Sequence, residues 1–513
     1  MRNLSRKRQT RGSLLVLMIM MIPLFLIPLV GLAIDGTMLF IVQGKLSSAA
    51  DGAVLGAGRL LGTTANTTEI AGEFMNVNFP AGYWGATNLQ SNITATDVLG
   101  THTITVSATV QVPLLFMRIL GRATSTVGAY AQATRRDTRV VLVLDRSGSM
   151  DTTDPISHLN VCTTMLTSAA DFVGMFNPGS DELGLVALQG SSIVAYPETR
   201  PYNSSPTSSG GPDSNFATSS TAGPMFTQIS TMVCGGGTST PEAMSLAYIE
   251  LQKAHNRDIA NNGTDIDMNS IVLFTDGAAD ALAVSPNSAN SPQVSVIKGS
   301  SSCTYKSTTA TADIMMGWMA APGNAPSWGT PQGLYLLSAY DSSHTLTWWL
   351  QNPTGDETES SPTAALSGCG NLGNGNKNFN LNDLAKIPPY DIYGNSTSGN
   401  AYINSSLDYN GTAYDPNQPT SGYHVALAAW NATDNVGQTI RSQTAMNPIT
   451  IYCIGYTGNG GIDSGLLKRL ANTQDSTSYN PNQQTGLEIE VHSADQLTAA
   501  FLSVASSMLR LAQ

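Results

Sequence analysis

The chain is 513 residues long, with 12% charged and 41% hydrophobic residues, 48 Gly and 25 Pro; this excludes a coiled coil or a highly charged disordered chain and suggests a globular bulk of about three units at roughly 150 residues each. Net charge is −12, yet Arg2, Arg6, Lys7, Arg8 and Arg11 stand in the first eleven positions, and beyond them 19 cations face 36 acids, a net of −17. No nucleic-acid footprint fits so acidic a chain.

Residues 13–34, SLLVLMIMMIPLFLIPLVGLAI, carry no charged side chain, and about 20 apolar residues suffice for a helix to cross the hydrocarbon. Pro23 and Pro28 fit such a segment, because kinks are tolerated better in lipid-embedded helices than in soluble ones. The five cations ahead of it place residues 1–12 in the cytoplasm and the bulk of the chain outside it. That describes a single-pass protein of a bacterial inner membrane with its main body periplasmic or extracellular. Gly31-Leu32-Ala33 has the small-x-small pattern of a cleaved leader, but the apolar stretch exceeds the usual h-region of about 7–15 residues, which favours an uncleaved anchor.

A helical rhythm continues through Leu39, Val42, Leu46, Ala49, Ala50 and Val54 to about Leu61. Asp35, Leu46, Ala49-Ala50-Asp51-Gly52-Ala53 and Leu55-Gly56-Ala57 together resemble the N-terminal signature of the TadG-like Flp (Tad) pilus-assembly proteins. From Asn66 the period changes. Thr103 to Val112 alternates as a half-buried strand should, and a second strand is expected over Ser125 to Ala133. Residues 35–136 thus read as the TadG-like helix plus a small α+β packing unit.

Arg139 to Leu144 is an apolar, β-branched stretch of the kind found in a buried parallel strand. Asp145-Arg146-Ser147-Gly148-Ser149 follows it directly, placing a carboxylate and two hydroxyls at alternating positions of one loop, hard oxygen donors suited to Mg²⁺. Further on, Cys234-Gly235-Gly236-Gly237-Thr238 presents a hydroxyl from a glycine-rich loop, with Thr240 the expected cap of a helix opened by Pro241. A third segment, Ser270 to Phe274, is an apolar strand that runs into Thr275-Asp276-Gly277. In this order the three segments resemble the metal-ion-dependent adhesion site (MIDAS) of a von Willebrand factor A domain. The resemblance implies Asp145, Ser147 and Ser149 as direct ligands, Thr238 as a ligand or near-ligand, and Asp276 holding the ion directly or through water. It implies Mg²⁺, with Mn²⁺ or Ca²⁺ as alternatives, and a partner protein whose acidic side chain completes the coordination.

Strand and helix signals alternate along the rest of the chain, through Val161–Phe176, a hairpin at Leu183–Tyr196, Val425–Arg441, Ile449–Tyr456 and Ala494–Leu511. The expected fold is therefore α/β: a mostly parallel, Rossmann-like A-domain sheet over residues 137–513 with helices on both faces. Two insertions interrupt it, at about 197–226 and 282–422, the second rich in Ser, Thr, Asn, Gly and Pro yet holding Trp318, Trp328, Trp348 and Trp349. Five Cys outside the cytoplasm allow at most two disulfides. Cys162 with Cys234 would tie the first helix to the Thr238 loop, Cys303 with Cys369 would staple the insertion, and Cys453 reads as a buried thiol.

Gly368 to Gly373 spells GxGxxG without a preceding strand, and no Walker A, HExxH or nucleophile-elbow pattern is present. Hydroxyls beside Asp145 and Asp276 suit a cation better than a general acid and base, so a binding protein is expected rather than an enzyme. Two functions remain open: a pilus-associated protein that captures a partner through its metal, and a structural envelope protein whose metal only stabilises the fold.

Overall fold

The computed structural model describes residues 18–19, 21 and 25–284 apart from a few loop positions, short strands within 304–367, and 422–511 apart from 459–460. Two compact units divide between Arg136 and Asp137.

The first unit is organised by helix α1, Ile27–Gly58, whose 32 residues extend about 48 Å at 1.5 Å per residue. Its two halves differ. Leu29, Val30, Leu32 and Ile34 are exposed, whereas Val42, Leu46, Ala49, Ala50, Ala53, Val54 and Ala57 are buried at helical spacing. Small residues on that stripe allow close approach of α2, Thr67–Asn78: Gly56 lies against Phe74 and Gly52 against Asn78. Asn66 caps α2 by accepting the Glu69 N–H and donating to the Glu69 carboxylate.

An antiparallel sheet of β1 (Thr87–Val98), β2 (Thr101–Pro113) and β3 (Thr124–Arg136) completes the unit in the order β1-β2-β3. Along β2 the alternation expected from sequence holds: Ile104, Val106, Ala108, Val110 and Val112 are buried in one cluster with the α1 stripe. Strand β1 gave no sequence signal, because as an edge strand whose residues are mostly exposed it needs no apolar alternation. Leu99 and Gly100, both at positive φ, close the β1–β2 hairpin.

In the second unit, β4 (Thr138–Asp145) is buried along its whole length. Helix α3 (Val161–Val173) follows, then β5 (Glu182–Leu188), β6 (Ile193–Tyr196), α4 (Pro224–Thr231), α5 (Thr240–Asn262) and β7 (Met268–Thr275). Within the stretch after β7 the described pieces are strands: β8 (Ala281–Val284), β9 (Thr304–Tyr305), β10 (Met316–Ala320), β11 (Gln332–Leu337) and β12 (Leu366–Ser367). They form a three-stranded antiparallel sheet, β11-β10-β8, and a two-stranded β12-β9 ribbon. The chain closes with α6 (Gly422–Ser442), β13 (Ile449–Tyr456), α7 (Ser464–Ala471), β14 (Glu488–Val491) and α8 (Leu497–Leu511).

The central sheet has the order β14-β13-β7-β4-β5-β6, every pairing parallel except the edge pair β5–β6. It is a doubly covered α/β sheet. Val140, Leu142 and Leu144 of β4 pack with α3, α4 and α8 in one core; Val141 and Val143 join α5, α6 and α7 in the other. Burial on both faces is why β4, β7 and β13 read as continuous apolar runs rather than alternating ones. Cys162 and Cys234 form a disulfide and Cys453 is a buried thiol, while Cys303, Cys369 and the GxGxxG of 368–373 lie outside the described residues.

Candidate metal centre

Parallel topology brings the carboxyl ends of β4 and β7 side by side, because the two strands pair in register from Thr138 with Met268 to Leu144 with Phe274. Asp145 and Asp276 therefore emerge at the same sheet end, where open α/β sheets bind ligands. The Asp145 carboxylate accepts the Ser147 N–H at 2.8 Å on Oδ1 and the Thr275 hydroxyl at 2.6 Å on Oδ2, with the Asp276 N–H a further donor. Past Asp145 the chain turns through a short 3-10 segment, Gly148–Met150, which directs both serine hydroxyls back to the strand ends. Ser149 Oγ donates to Asp276 Oδ1 at 2.7 Å, Ser147 Oγ lies 3.4 Å from the same oxygen, and the two hydroxyls are 2.9 Å apart.

Thr238 arrives from the glycine-rich loop ahead of α5. Arg146 O accepts the Gly235 N–H at 2.7 Å, Gln189 Nε2 donates to Gly235 O at 2.6 Å, and Gln189 O accepts the Ser239 N–H at 2.8 Å. Ser239, rather than Thr240, holds the N-cap position of α5, without a side-chain cap bond, and Pro241 sits in its first turn. Asp280 completes the anchoring: its carboxylate accepts the Thr238 N–H, and the N–H groups of Asp280 and Ala281 donate to Thr238 O at 3.0 and 3.1 Å.

A cradle results. A Cβ placed on Gly277 would stand 3.4 Å from Thr238 Oγ1 and 3.8 Å from Ser149 Oγ, so both hydroxyls face the same small space beside Asp276. Asp145, Ser147 and Asp276 are at most 1% exposed and Thr238 is 3% exposed. The structure thus brings all five sequence-derived residues to one end of the sheet.

Burial sets the electrostatics at this end. Burial pushes the Asp145 carboxyl above the usual carboxylate range, against hydrogen bonds from Thr275 and Ser147 that lower it. Asp280 is pushed up to about 7, first by burial and then by the charges of Asp145 and Asp276, with the Thr238 amide opposing. A divalent cation would relieve both. Among the described residues no group of three or more His, Cys, Asp or Glu side chains is placed to hold a metal. Any ion here would therefore take hydroxyl oxygens as part of its shell, a hard-donor set that fits Mg²⁺.

Asp280 and Gln189, which orient the site rather than line it, belong to none of the three sequence segments, and Thr275, named there only as part of Thr-Asp-Gly, proves to hold Asp145. The repeat of Asp three residues after Asp276-Gly277 was the available signal for Asp280.

Residues 12–60 match the protein family described as putative Flp pilus-assembly TadE/G-like. The similarity covers the apolar N-terminal stretch and α1. Solved structures similar to the chain include the PilB minor pilin from Streptococcus sanguinis, at 10% identity over 83% of this chain and 79% of that one, TM-score 0.33. Others are a von Willebrand factor type A protein from Catenulispora acidiphila (10%, 82% and 50%, 0.32) and the vWF domain of the type V pili tip protein Mfa5 from Porphyromonas gingivalis (16%, 74% and 98%, 0.32). At these TM-scores the likenesses carry no weight of their own. What the second unit itself shows is a mostly parallel α/β sheet of order β14-β13-β7-β4-β5-β6 with helical cover on both faces. No curated protein matches the chain in sequence.

Proposed function

We propose that this is a membrane-anchored A-domain protein that captures a partner protein through a divalent cation while serving a Flp-type pilus in assembly, anchoring or adhesion. The observation that carries the reading is the convergence of Ser147, Ser149, Asp276 and Thr238 around the Gly277 cradle, with Asp145 locked behind them. Asp145, Ser147, Ser149, Thr238 and Asp276 hold Mg²⁺, or Mn²⁺ or Ca²⁺ in its place. The cation supplies a Lewis-acidic position for an acidic side chain of the partner. The TadE/G-like match supports the pilus setting. Support for the anchor comes from the start of α1, where Leu29, Val30, Leu32 and Ile34 are exposed and continue the uncharged stretch 13–34, whereas the second half of the helix is packed in the first unit's core. The basic N-terminus then lies in the cytoplasm and the A domain beyond the inner membrane. We read the protein as a binder rather than an enzyme, because hydroxyls flank its paired carboxylates.

Burial of Asp145, Ser147, Thr238 and Asp276 favours a second reading, in which the ion serves only to stabilise an envelope protein. Partner capture from the producing cell's pilus fraction separates the two. In the first reading the full chain pulls down pilus components in Mg²⁺, loses them in EDTA, and loses them on Asp145→Ala with the circular dichroism spectrum unchanged. Capture that survives both treatments refutes it, and unfolding on chelation favours the structural reading.

A further inference from the structure

Between β2 and β3 the chain makes a compact knuckle, Leu114 to Ala123, closed by the Leu114 N–H on Ala123 O at 2.9 Å and the Arg122 N–H on Met117 O at 3.0 Å. Its tip faces outward with side chains that water does not favour. Leu115, Ile119 and Leu120 are 60%, 80% and 67% exposed, and Arg118 and Arg122 stand among them. No acidic residue occurs anywhere from Val98 to Arg136. The knuckle is also tied to one place on α1. Asp35 is buried within the helix, and its carboxylate accepts the N–H groups of Leu115, Phe116 and Met117 at 2.8 to 3.3 Å. One turn earlier Gly31 leaves room for the Phe116 ring, which a Cβ there would meet at 2.5 Å. Leu29, Val30, Leu32 and Ile34 are exposed around that contact and continue the knuckle's apolar surface onto the helix.

Two rows of observation meet at this point. The apolar stretch 13–34 ends where the knuckle is bolted on, and the knuckle presents aliphatic side chains plus two guanidinium groups. Such a surface suits the headgroup and upper acyl boundary of a bilayer, where apolar side chains enter and cations meet phosphates. We propose that the Leu114–Ala123 knuckle docks into the lipid surface at the exit of α1 from the membrane, with Leu115, Ile119 and Leu120 inserted and Arg118 and Arg122 on phosphate, and that Asp35 is the positioning residue that holds it there. The proposal rests on the anchor reading given above. It makes the first unit a rigid foot: the helix and the sheet enter the interface together, so the sheet stands at a set angle to the membrane.

The test uses the full chain reconstituted in phosphatidylethanolamine/phosphatidylglycerol liposomes, with phosphatidylcholine brominated on its acyl chains as quencher. Ile119→Trp places a reporter on an exposed tip site, and Val98→Trp places one on the exposed β1–β2 turn at the far end of β2. The emission added by Ile119→Trp over the parent should be mostly lost in brominated lipid, while that added by Val98→Trp should be kept. Asp35→Ala should restore much of the lost emission from Ile119→Trp. Liposome flotation after alkaline carbonate extraction reports the anchor separately. A chain that floats while Ile119→Trp stays unquenched overturns the docking and leaves the anchor standing; a chain that does not float overturns both. Equal quenching with Asp35 intact or replaced overturns the role of Asp35.

Discussion

Gly277→Ala offers the sharpest test of the candidate centre, because it alters the space the cation needs and none of the residues that would hold it. The added methyl would stand 3.4 Å from Thr238 Oγ1 and 3.8 Å from Ser149 Oγ, ordinary contact distances, at a residue whose φ is not in the left-handed region. Stability without metal should therefore change little. An Mg²⁺ ion needs oxygens at about 2.0–2.1 Å in near-octahedral array, and a methyl between two of its donors removes that possibility. In the parent, Mg²⁺ at about 100 times its Kd should add roughly 2.7 kcal/mol to stability, which for a unit spanning Asp137–Ala512 raises Tm by about 3–4 °C. Differential scanning calorimetry of the detergent-solubilised chain in EDTA and in excess MgCl₂ reads both quantities. Gly277→Ala should match the parent in EDTA and lose the magnesium increment. A full increment in the variant would refute the cradle as the ion's place, and no increment in the parent would refute the centre itself.

Other consequences can be checked alongside it. Reducing Cys162–Cys234, which closes a loop of 72 residues, should lower stability by about 4 kcal/mol on the loop-entropy relation, read as a shift of the urea midpoint against the oxidised chain. Arg139→Ala should cost about 3–5 kcal/mol in the same assay, since the buried guanidinium meets Glu182, Asp258, Asp265 and Asp267 at 2.6 to 3.1 Å and its loss leaves them facing one another. Asp154 should give a pH signature. Burial pushes its carboxyl up, but hydrogen bonds from Ser157, Tyr456 and Ser493 outweigh this and hold it below its ordinary value of 3.8. A depressed carboxyl contributes stability that is present above that value and lost as pH falls through the folded one. The stability gap between the parent and Asp154→Asn should hold steady from neutral pH to about 5 and close below about 4; a gap that widens in acid would contradict the assignment.

Much of the site was legible because its chemistry is local. Asp145, Ser147 and Ser149 share one loop, and Asp276 follows an apolar strand, so residue type, spacing and the preceding strand were enough to nominate them. What escaped was support that depends on contacts across the chain. Asp280 matters only because the loop after β7 folds back onto Thr238, 42 residues earlier. Gln189 matters because the end of β5 runs past Gly235. Edge elements were harder to see for a similar reason. Strand β1 and the four-residue β14 bury few side chains, so they leave no periodic apolar trace, and α7 is only eight residues long.

The sequence by itself determined the elements whose burial is set by their own side chains: the helix Ile27–Gly58 with its apolar start and small-residue stripe, the fully apolar strands of a two-sided sheet, and the order of three oxygen-rich loops. Periodicity and composition are enough there, since a strand covered on both faces must be apolar at every position. Tertiary structure decided how those loops meet. Pairing β4 directly with β7 sets Asp145 beside Thr275 and Asp276 across 130 residues of chain, a proximity that no local pattern encodes. It also fixed the partner of Asp35, whose carboxylate directly after the apolar stretch 13–34 is explained by three backbone N–H groups about 80 residues away. A buried charge needs compensating donors, and only the folded chain shows where they come from.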